Sequence, residues 1–254
     1  MKILGFSGYK EGGKDDSCDF LVRNAVELFS STVEFYSNSK VIDTPKVGKF
    51  YYADDLKRLC VDILGLDERH VYGSNADKDK PSGLRWENMP GVITTKTANW
   101  YYDHYERGNG SGIDFKDAGF TVHDEGEMTV REVLQFVGTE IFRKMYTNVW
   151  VDAFMRRVRK SGVKFAFVSD VRFPNEVEAI QREGGKVIRL TRDVHKGKDK
   201  HESERALDRD RYDWNNFDAV IDNENMTRGE KYNEILNKLI EWRWVNRKDF
   251  KLGD

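Results

Sequence analysis

Ile3-Leu4-Gly5-Phe6-Ser7-Gly8-Tyr9-Lys10-Glu11-Gly12-Gly13-Lys14-Asp15-Asp16-Ser17 is the stretch that decides the fold. A short apolar run stops at glycines, and a helical pattern follows through Phe20, Leu21, Ala25, Val26 and Phe29, which predicts strand, glycine loop and helix. Gly8, Gly13 and Lys14 match the spacing G-x-x-x-x-G-K, in which backbone N–H groups and a helix N-terminus surround a phosphate while the lysine reaches its outer oxygens. Glycine suits such a loop because a side chain would hold the backbone away from the anion. The bland alternative is a Gly-rich turn with a solvated lysine. Strand before and helix after favour phosphate binding. Position 15 is Asp where the motif usually carries a Ser or Thr hydroxyl for Mg²⁺. Magnesium accepts carboxylates and keeps several waters, so Asp15, Asp16 and Ser17 are all candidates for that task.

Working outward, the 254 residues suit one α/β domain with insertions or two small ones. With 39% apolar and 34% charged residues the chain reads as globular with a heavily charged surface. Its net charge of −2 gives no general attraction to nucleic acid or membrane, so anion binding must rest on local clusters. Cys18 and Cys60 show neither C-x-x-C nor metal-ligand spacing and read as reduced thiols. No run approaches membrane-spanning length, and no basic-then-apolar leader precedes the first strand. A cytosolic protein is expected.

Beyond the first helix, 32–36 reads as a strand and 37–49 as a loop. A helix after Phe50 places Leu56, Leu59, Cys60, Ile63 and Leu64 on one face. Lys57 and Arg58 in its first turns are poorly placed cations unless an anion binds nearby, or else are ordinary surface residues. Segment 67–128 is hard to read. Its Pro, Gly and charges are interleaved with Trp86, Trp100, Tyr101, Tyr102 and Phe115, and strand character at 91–97 suggests an inserted β-hairpin or flap. Thr129-Val130-Arg131-Glu132 is a capping box that opens a helix through Val133, Leu134, Phe136, Val137, Ile141, Phe142 and Met145. Arg131 and Gln135 share a face of it, with Gly138 and Thr139 one turn on. A further helix starts near Trp150. Val163–Val168 reads as a core parallel strand ending at Ser169-Asp170-Val171-Arg172-Phe173-Pro174-Asn175-Glu176, the end of an open α/β sheet where ligands gather. Helix, strand 186–190, a charged stretch 192–216, strand 219–221 and a capped C-terminal helix complete the alternation. Right-handed crossovers and a mainly parallel sheet follow. The charged stretch is either a solvated loop or a lid whose arginines close over phosphates.

These blocks together resemble the bacteriophage deoxynucleoside monophosphate kinases, a branch of the P-loop nucleotide kinases, over nearly the whole chain. Ser7-Gly8 with Gly13-Lys14-Asp15 looks like that family's phosphate loop, where Asp often follows the lysine; Asp16 stands where Thr is usual. Ala53-Asp54-Asp55-Leu56-Lys57 is similar to the start of its monophosphate-side helix, with Asp55 replacing a frequent Pro. Arg131-x-x-x-Gln135-x-x-Gly138-Thr139-Glu140 followed by Trp150 is the most specific block, and His201 and Glu204 match a His-x-x-Glu lid pattern.

The resemblance implies a three-layer P-loop kinase sandwich: a single domain over 1–254, with a flap insertion at 67–128 and a lid at 192–216. It implies transfer of the ATP γ-phosphoryl group to deoxynucleoside 5′-monophosphates with Mg²⁺. Gly8, Gly12, Gly13, Lys14, Asp15, Asp16 and Ser17 would hold the ATP phosphates, with Arg192, Arg205 and Arg209 as lid cations. Asp15, Ser17 and Asp170 would place the metal. Lys57, Arg131, Gln135, Gly138, Thr139, Trp150, Asp170, Arg172 and Glu176 would form the acceptor side, Trp150 either stacking on the base or serving as a core aromatic. Lys14, Arg131, Asp170 and Arg172 are the catalytic candidates.

Nucleotides are the expected partners, without nucleic acid or membrane; homodimerisation is left open. If phage-encoded, the protein would work in the host cytoplasm. The rivals are a P-loop kinase of dephospho-coenzyme A or phosphomevalonate type and a nucleotide-binding module without turnover.

Overall fold

A computed structural model describes all residues except 30, 35–39, 44–45, 107–113, 196–204 and 246–254. His201 and Glu204 therefore lie outside the described residues. The contact pattern divides the chain into two compact units, 1–54 with 148–254, and 55–147.

In the first unit, strand β1 (Lys2–Gly8) runs into helix α1 (Lys14–Arg23). There follow β2 (Val47–Phe50), α2 (Val149–Ser161), β3 (Phe165–Val171), α3 (Pro174–Arg182), β4 (Lys186–Leu190), β5 (Ala219–Ile221) and α4 (Arg228–Glu241). The five strands form one sheet in the order β5-β4-β1-β3-β2. All its ladders are parallel, with β1 at the centre. Alternation along β1 explains the layers. Leu4 and Phe6 pack with Phe20 and Leu21 of α1 and Ile235 and Leu239 of α4. Ile3 faces the other way, with Phe154 and Val158 of α2 and Val177 and Ile180 of α3. On that second face Gly5 lets α3 approach: a Cβ there would lie 2.7 Å from Ile180 Cδ1. Each fully buried Phe, Leu or Ile contributes roughly 1.5–3 kcal/mol to holding the helices on the two faces of the sheet. The expected parallel α/β sandwich is present.

Segment 37–49 is not wholly a loop. Lys40–Asp43 pairs antiparallel with Ser31–Glu34, and β2 adds an edge strand beside β3. A four-residue edge strand whose partner lies more than a hundred positions away gives no local period to read.

The second unit has its own core of Cys60, Leu66, Val71, Trp86, Met128, Val130, Val133 and Phe136. The helix Asp54–Asp62 stops before Ile63, which is 76% exposed rather than on the buried face. The strand read at 91–97 ends at Thr94, whose hydroxyl accepts the Thr97 N–H and caps a helix Thr95–Tyr101. It pairs in parallel with Thr121–His123, so it is no hairpin arm; the antiparallel ladder joins Pro81–Arg85 to Glu127–Thr129. The Thr129–Glu132 capping box forms as expected. Its helix Val130–Gln135 then continues as a π-helix over Phe136–Arg143. That wider winding takes Met145 out of the apolar stripe, leaving it 71% exposed.

Candidate active site

The phosphate-loop reading has a definite geometry. After β1 the chain turns at Tyr9, whose carbonyl accepts the Gly12 N–H at 3.1 Å. Glu11 takes a left-handed φ of 60°, uncommon outside glycine, and its carboxylate lies 3.3 Å from His195 Nε2. Gly13, at φ +97°, starts α1 in a conformation that disfavours any side chain. A Cβ on Gly12 would come within 2.8 Å of the Arg192 carbonyl and 3.0 Å of that of Tyr9, backbone that cannot yield. Lys14 Nζ donates to the carbonyls of Gly8, at 2.7 Å, and Tyr9, at 2.5 Å. Burial lowers its pKa to about 7, helped by the positive charges of Arg172 and Arg189. A lysine held among cations in this way is set to gain from an anion.

Asp15 projects from the first turn of α1 with its carboxylate two-thirds exposed. It accepts the Ser169 hydroxyl at 2.7 Å and pairs with Lys49 Nζ at 3.0 Å. Partial burial would raise its pKa, but the Ser169 and Lys49 bonds more than offset this and keep it below the ordinary value. Asp16 turns elsewhere: Lys231 Nζ of α4, itself buried, donates to its carboxylate at 2.8 Å and to the Gly13 carbonyl at 3.2 Å. Ser17 is wholly buried, and its hydroxyl donates to the Gly13 carbonyl at 2.8 Å, a bond it would have to release to meet a metal. Of the three carboxylate or hydroxyl candidates after Lys14, Asp15 is the most exposed, at 66% against 29% for Asp16 and none for Ser17.

At the end of β3, Asp170 accepts the N–H groups of Tyr52 (2.8 Å) and Ala53 (3.0 Å), fixing the turn that leads into the helix Asp54–Asp62. Glu176 is 1% exposed and accepts the N–H groups of Arg172 (2.7 Å) and Phe173 (3.2 Å). It shapes the backbone that carries Arg172. Trp150 is buried in the first turn of α2, the surroundings of a packing residue. Arg192 donates through its backbone to the Asn223 side chain and through Nη2 to the Met226 carbonyl. Arg205 lies 3.5 Å from Asp208, and Arg209 stacks over Trp214 at 5.1 Å.

In the second unit, Arg131 Nε donates to Asp79 at 2.7 Å and Nη2 to the Asn75 carbonyl at 3.1 Å. Gly138 lies against Leu56, where a Cβ would meet Cδ2 at 2.7 Å, so the helix bearing Lys57 and the one bearing Arg131, Gln135 and Thr139 are in close contact. Lys57 Nζ sits 5.0 Å from the Tyr72 ring centroid.

The family model described as deoxynucleotide monophosphate kinase matches residues 2–231. The chain belongs to this family. A putative deoxynucleotide monophosphate kinase of Acanthamoeba polyphaga mimivirus is 23% identical over 249 residues, covering 93% of this chain and 95% of the relative. The deoxynucleotide monophosphate kinase of Enterobacteria phage T4 is 24% identical over 227 residues, covering 82% and 88%. The protein is therefore a nucleotide kinase, a phosphotransferase that takes small nucleotide substrates and a nucleotide phosphate donor.

Several residues of the kinase had no sequence signal that singled them out. Lys49 sits in the unrecognised β2. Asn223, 1% exposed, receives the Arg192 N–H and donates to the Gly12 carbonyl at 3.0 Å, joining the end of β5 to the phosphate loop. Arg157 pairs with Asp54 at 2.8 Å and donates to the Tyr51 carbonyl. Arg189 had one readable signal, a charge inside the apolar run Lys186-Val187-Ile188-Arg189-Leu190. Among the described residues no three His, Cys, Asp or Glu side chains converge as a metal cage. Nor is any helix among them long and apolar enough to cross a membrane. A kinase magnesium is ordinarily held by one or two carboxylates, waters and substrate phosphates, which the donor set at Asp15 fits.

Proposed function

We propose that the kinase transfers the γ-phosphoryl group of ATP to deoxynucleoside 5′-monophosphates, with Mg²⁺. The observation that carries this reading is the seating of Lys14 at the head of α1, its Nζ turned back onto the Gly8 and Tyr9 carbonyls at 2.7 and 2.5 Å, where burial first, and the charges of Arg172 and Arg189 after it, lower its pKa to about 7. A buried amine in that position is disfavoured in its charged form until an anion reaches it, and a nucleotide phosphate chain supplies one.

Lys14 and the loop amides from Gly8 to Gly13 hold the donor phosphates, and the α1 N-terminus adds its dipole. Asp15, kept ionised by Lys49 and Ser169, is the protein oxygen donor for Mg²⁺; the ion neutralises phosphate charge when bound. Asp170 acts through structure, pinning residues 52–53, and Glu176 likewise sets the backbone of Arg172. Arg172 neutralises charge on the transferred group, and its planar fork suits phosphate oxygens. Arg131, Gln135, Thr139 and Lys57 serve the acceptor nucleotide, Arg131 exchanging Asp79 for the monophosphate. The lid reading of 192–216 supplies Arg192, Arg205 and Arg209 as further cations. No strong general base is needed, since the acceptor phosphate is already a nucleophile and catalysis is positioning plus charge stabilisation.

The test is a coupled assay with Mg·ATP against a panel of deoxy- and ribonucleoside monophosphates, dephospho-coenzyme A and phosphomevalonate. Turnover with deoxynucleoside monophosphates, lost by orders of magnitude in Lys14→Ala with the fold intact, is expected. Turnover confined to the other acceptors, or near-normal activity in Lys14→Ala, overturns the reading. Arg131→Ala should raise the acceptor KM about tenfold or more while sparing ATP binding.

A further inference from the structure

Arg189 is 3% exposed, the second-last residue of β4, and the parallel register sets it opposite Ser7 of β1. Its Nη1 donates to Ser7 Oγ at 3.0 Å. The guanidinium carbon lies 4.6 Å from the Tyr9 ring centroid and 4.9 Å from that of Trp214, so the cation is held between two aromatic faces. Its Nη2 stands 3.9 Å from Asp208 Oδ1. Both of those atoms, and Arg189 Nε, are buried without a hydrogen-bond partner.

This is an expensive place for a cation. A buried guanidinium with two spare donors forfeits water on every side, and an apolar side chain of similar length would fill the same space at lower cost. What Arg189 touches is the beginning of the phosphate loop, Ser7 and Tyr9, whose carbonyl neighbours receive Lys14. It also touches the segment 205–214, through Asp208 and Trp214. The separation from Asp208 is too long for a hydrogen bond and short enough for a side-chain rotation to make one.

Resting on the phosphate-loop reading above, we propose that Arg189 is a positioning residue for donor binding: it braces the first turn of the loop through Ser7 and Tyr9, and closes its spare N–H groups onto Asp208 when the loop receives phosphate. Arg189 thereby couples the 205–214 segment to the loop without touching the nucleotide. Binding at the loop and closure of the Arg189–Asp208 contact then share one free energy, and each favours the other.

The experiment measures ATP affinity by calorimetry, and KM for ATP and for the acceptor, in wild type, Arg189→Met, Asp208→Asn and the double variant, each checked by thermal unfolding. Arg189→Met should weaken ATP binding about tenfold or more, as loss of charge-assisted bonds does, while leaving the acceptor KM within about twofold. Asp208→Asn keeps the packing and should weaken ATP several-fold. The double variant should be no worse than Arg189→Met alone, because the coupling is already lost. Should Arg189→Met fail to fold, Asp208→Asn decides the matter by the same ATP-against-acceptor split. Wild type that binds no ATP overturns the functional reading and this role with it. Wild type that binds while the folded variants bind equally well, or lose both substrates in parallel, overturns the role of Arg189 alone.

Discussion

Lys14 concentrates the electrostatics of the loop. Its pKa of about 7 lies below the ordinary lysine value of 10.5, so the folded protein binds fewer protons here than the unfolded chain between those limits. The sign follows: without ligand, the contribution of Lys14 disfavours folding at and below neutral pH and eases as pH rises from about 7 toward 10.5. ATP held at the loop as proposed would reverse the preference, because a phosphate there favours the charged amine. Binding above neutrality should therefore take up close to one proton. Calorimetry at pH 8 in buffers of different ionisation enthalpy measures it, and Lys14→Met should abolish it. Proton uptake that persists in that variant would assign the titration to another group. Asp15 gives a second residue-scale test. Lys49→Met removes one of the bonds that hold the carboxylate ionised, so the acid limb of the pH–rate profile should move to higher pH. An unmoved acid limb would separate Asp15 from the reaction.

Elements differ in how much of themselves the chain announces. The capping boxes at Thr129–Glu132 and Thr227–Glu230 form as read, because a cap is decided within four residues. Likewise β1, β3 and β4 carry dense apolar runs of their own. Edge strand β2 does not: Val47-Gly48-Lys49-Phe50 becomes a strand only because Phe165–Val168 lies beside it. The same blindness hid Lys49, and it left Arg189 a charge inside a strand until Tyr9 and Trp214 were seen around it. The π segment Phe136–Arg143 was also hidden, since an apolar period near 3.6 cannot reveal a change of winding over eight residues. That segment brings Gly138 against Leu56, and the clash there falls on the end of a flexible side chain. Gly138→Ala should be absorbed by movement of Leu56, with little loss of stability, whereas Gly138→Val should cost roughly 1–3 kcal/mol by overpacking. Denaturant unfolding of the two variants checks the difference; equal losses would mean the helices cannot yield at all.

Among the described residues each of the two units has its own buried core, on both faces of the sheet in the first, and the candidate residues are divided between the units. Phosphate-loop residues rest on the sheet packed by Phe154, Ile180 and Leu239, while Arg131, Gln135 and Lys57 rest on the core of Trp86, Met128 and Val133. Separate cores imply that local opening is controlled separately. Phe154→Ala, at a fully buried site, should cost about 3–5 kcal/mol and Met128→Ala about 2–5. Hydrogen exchange reads where each loss is felt. Phe154→Ala should speed exchange in β1, β3 and β4 while leaving the amides of 80–85 and 127–137 near their wild-type rates, and Met128→Ala should do the reverse. ATP at a hundredfold excess over its dissociation constant should return about 2.7 kcal/mol to the states that retain the phosphate loop. It should therefore restore protection around β1 in Phe154→Ala and give less back to 127–137 in Met128→Ala. If instead each variant loosened both sets of amides equally, the cores would form one cooperative body, and a loss in either would reach the proposed donor and acceptor residues alike.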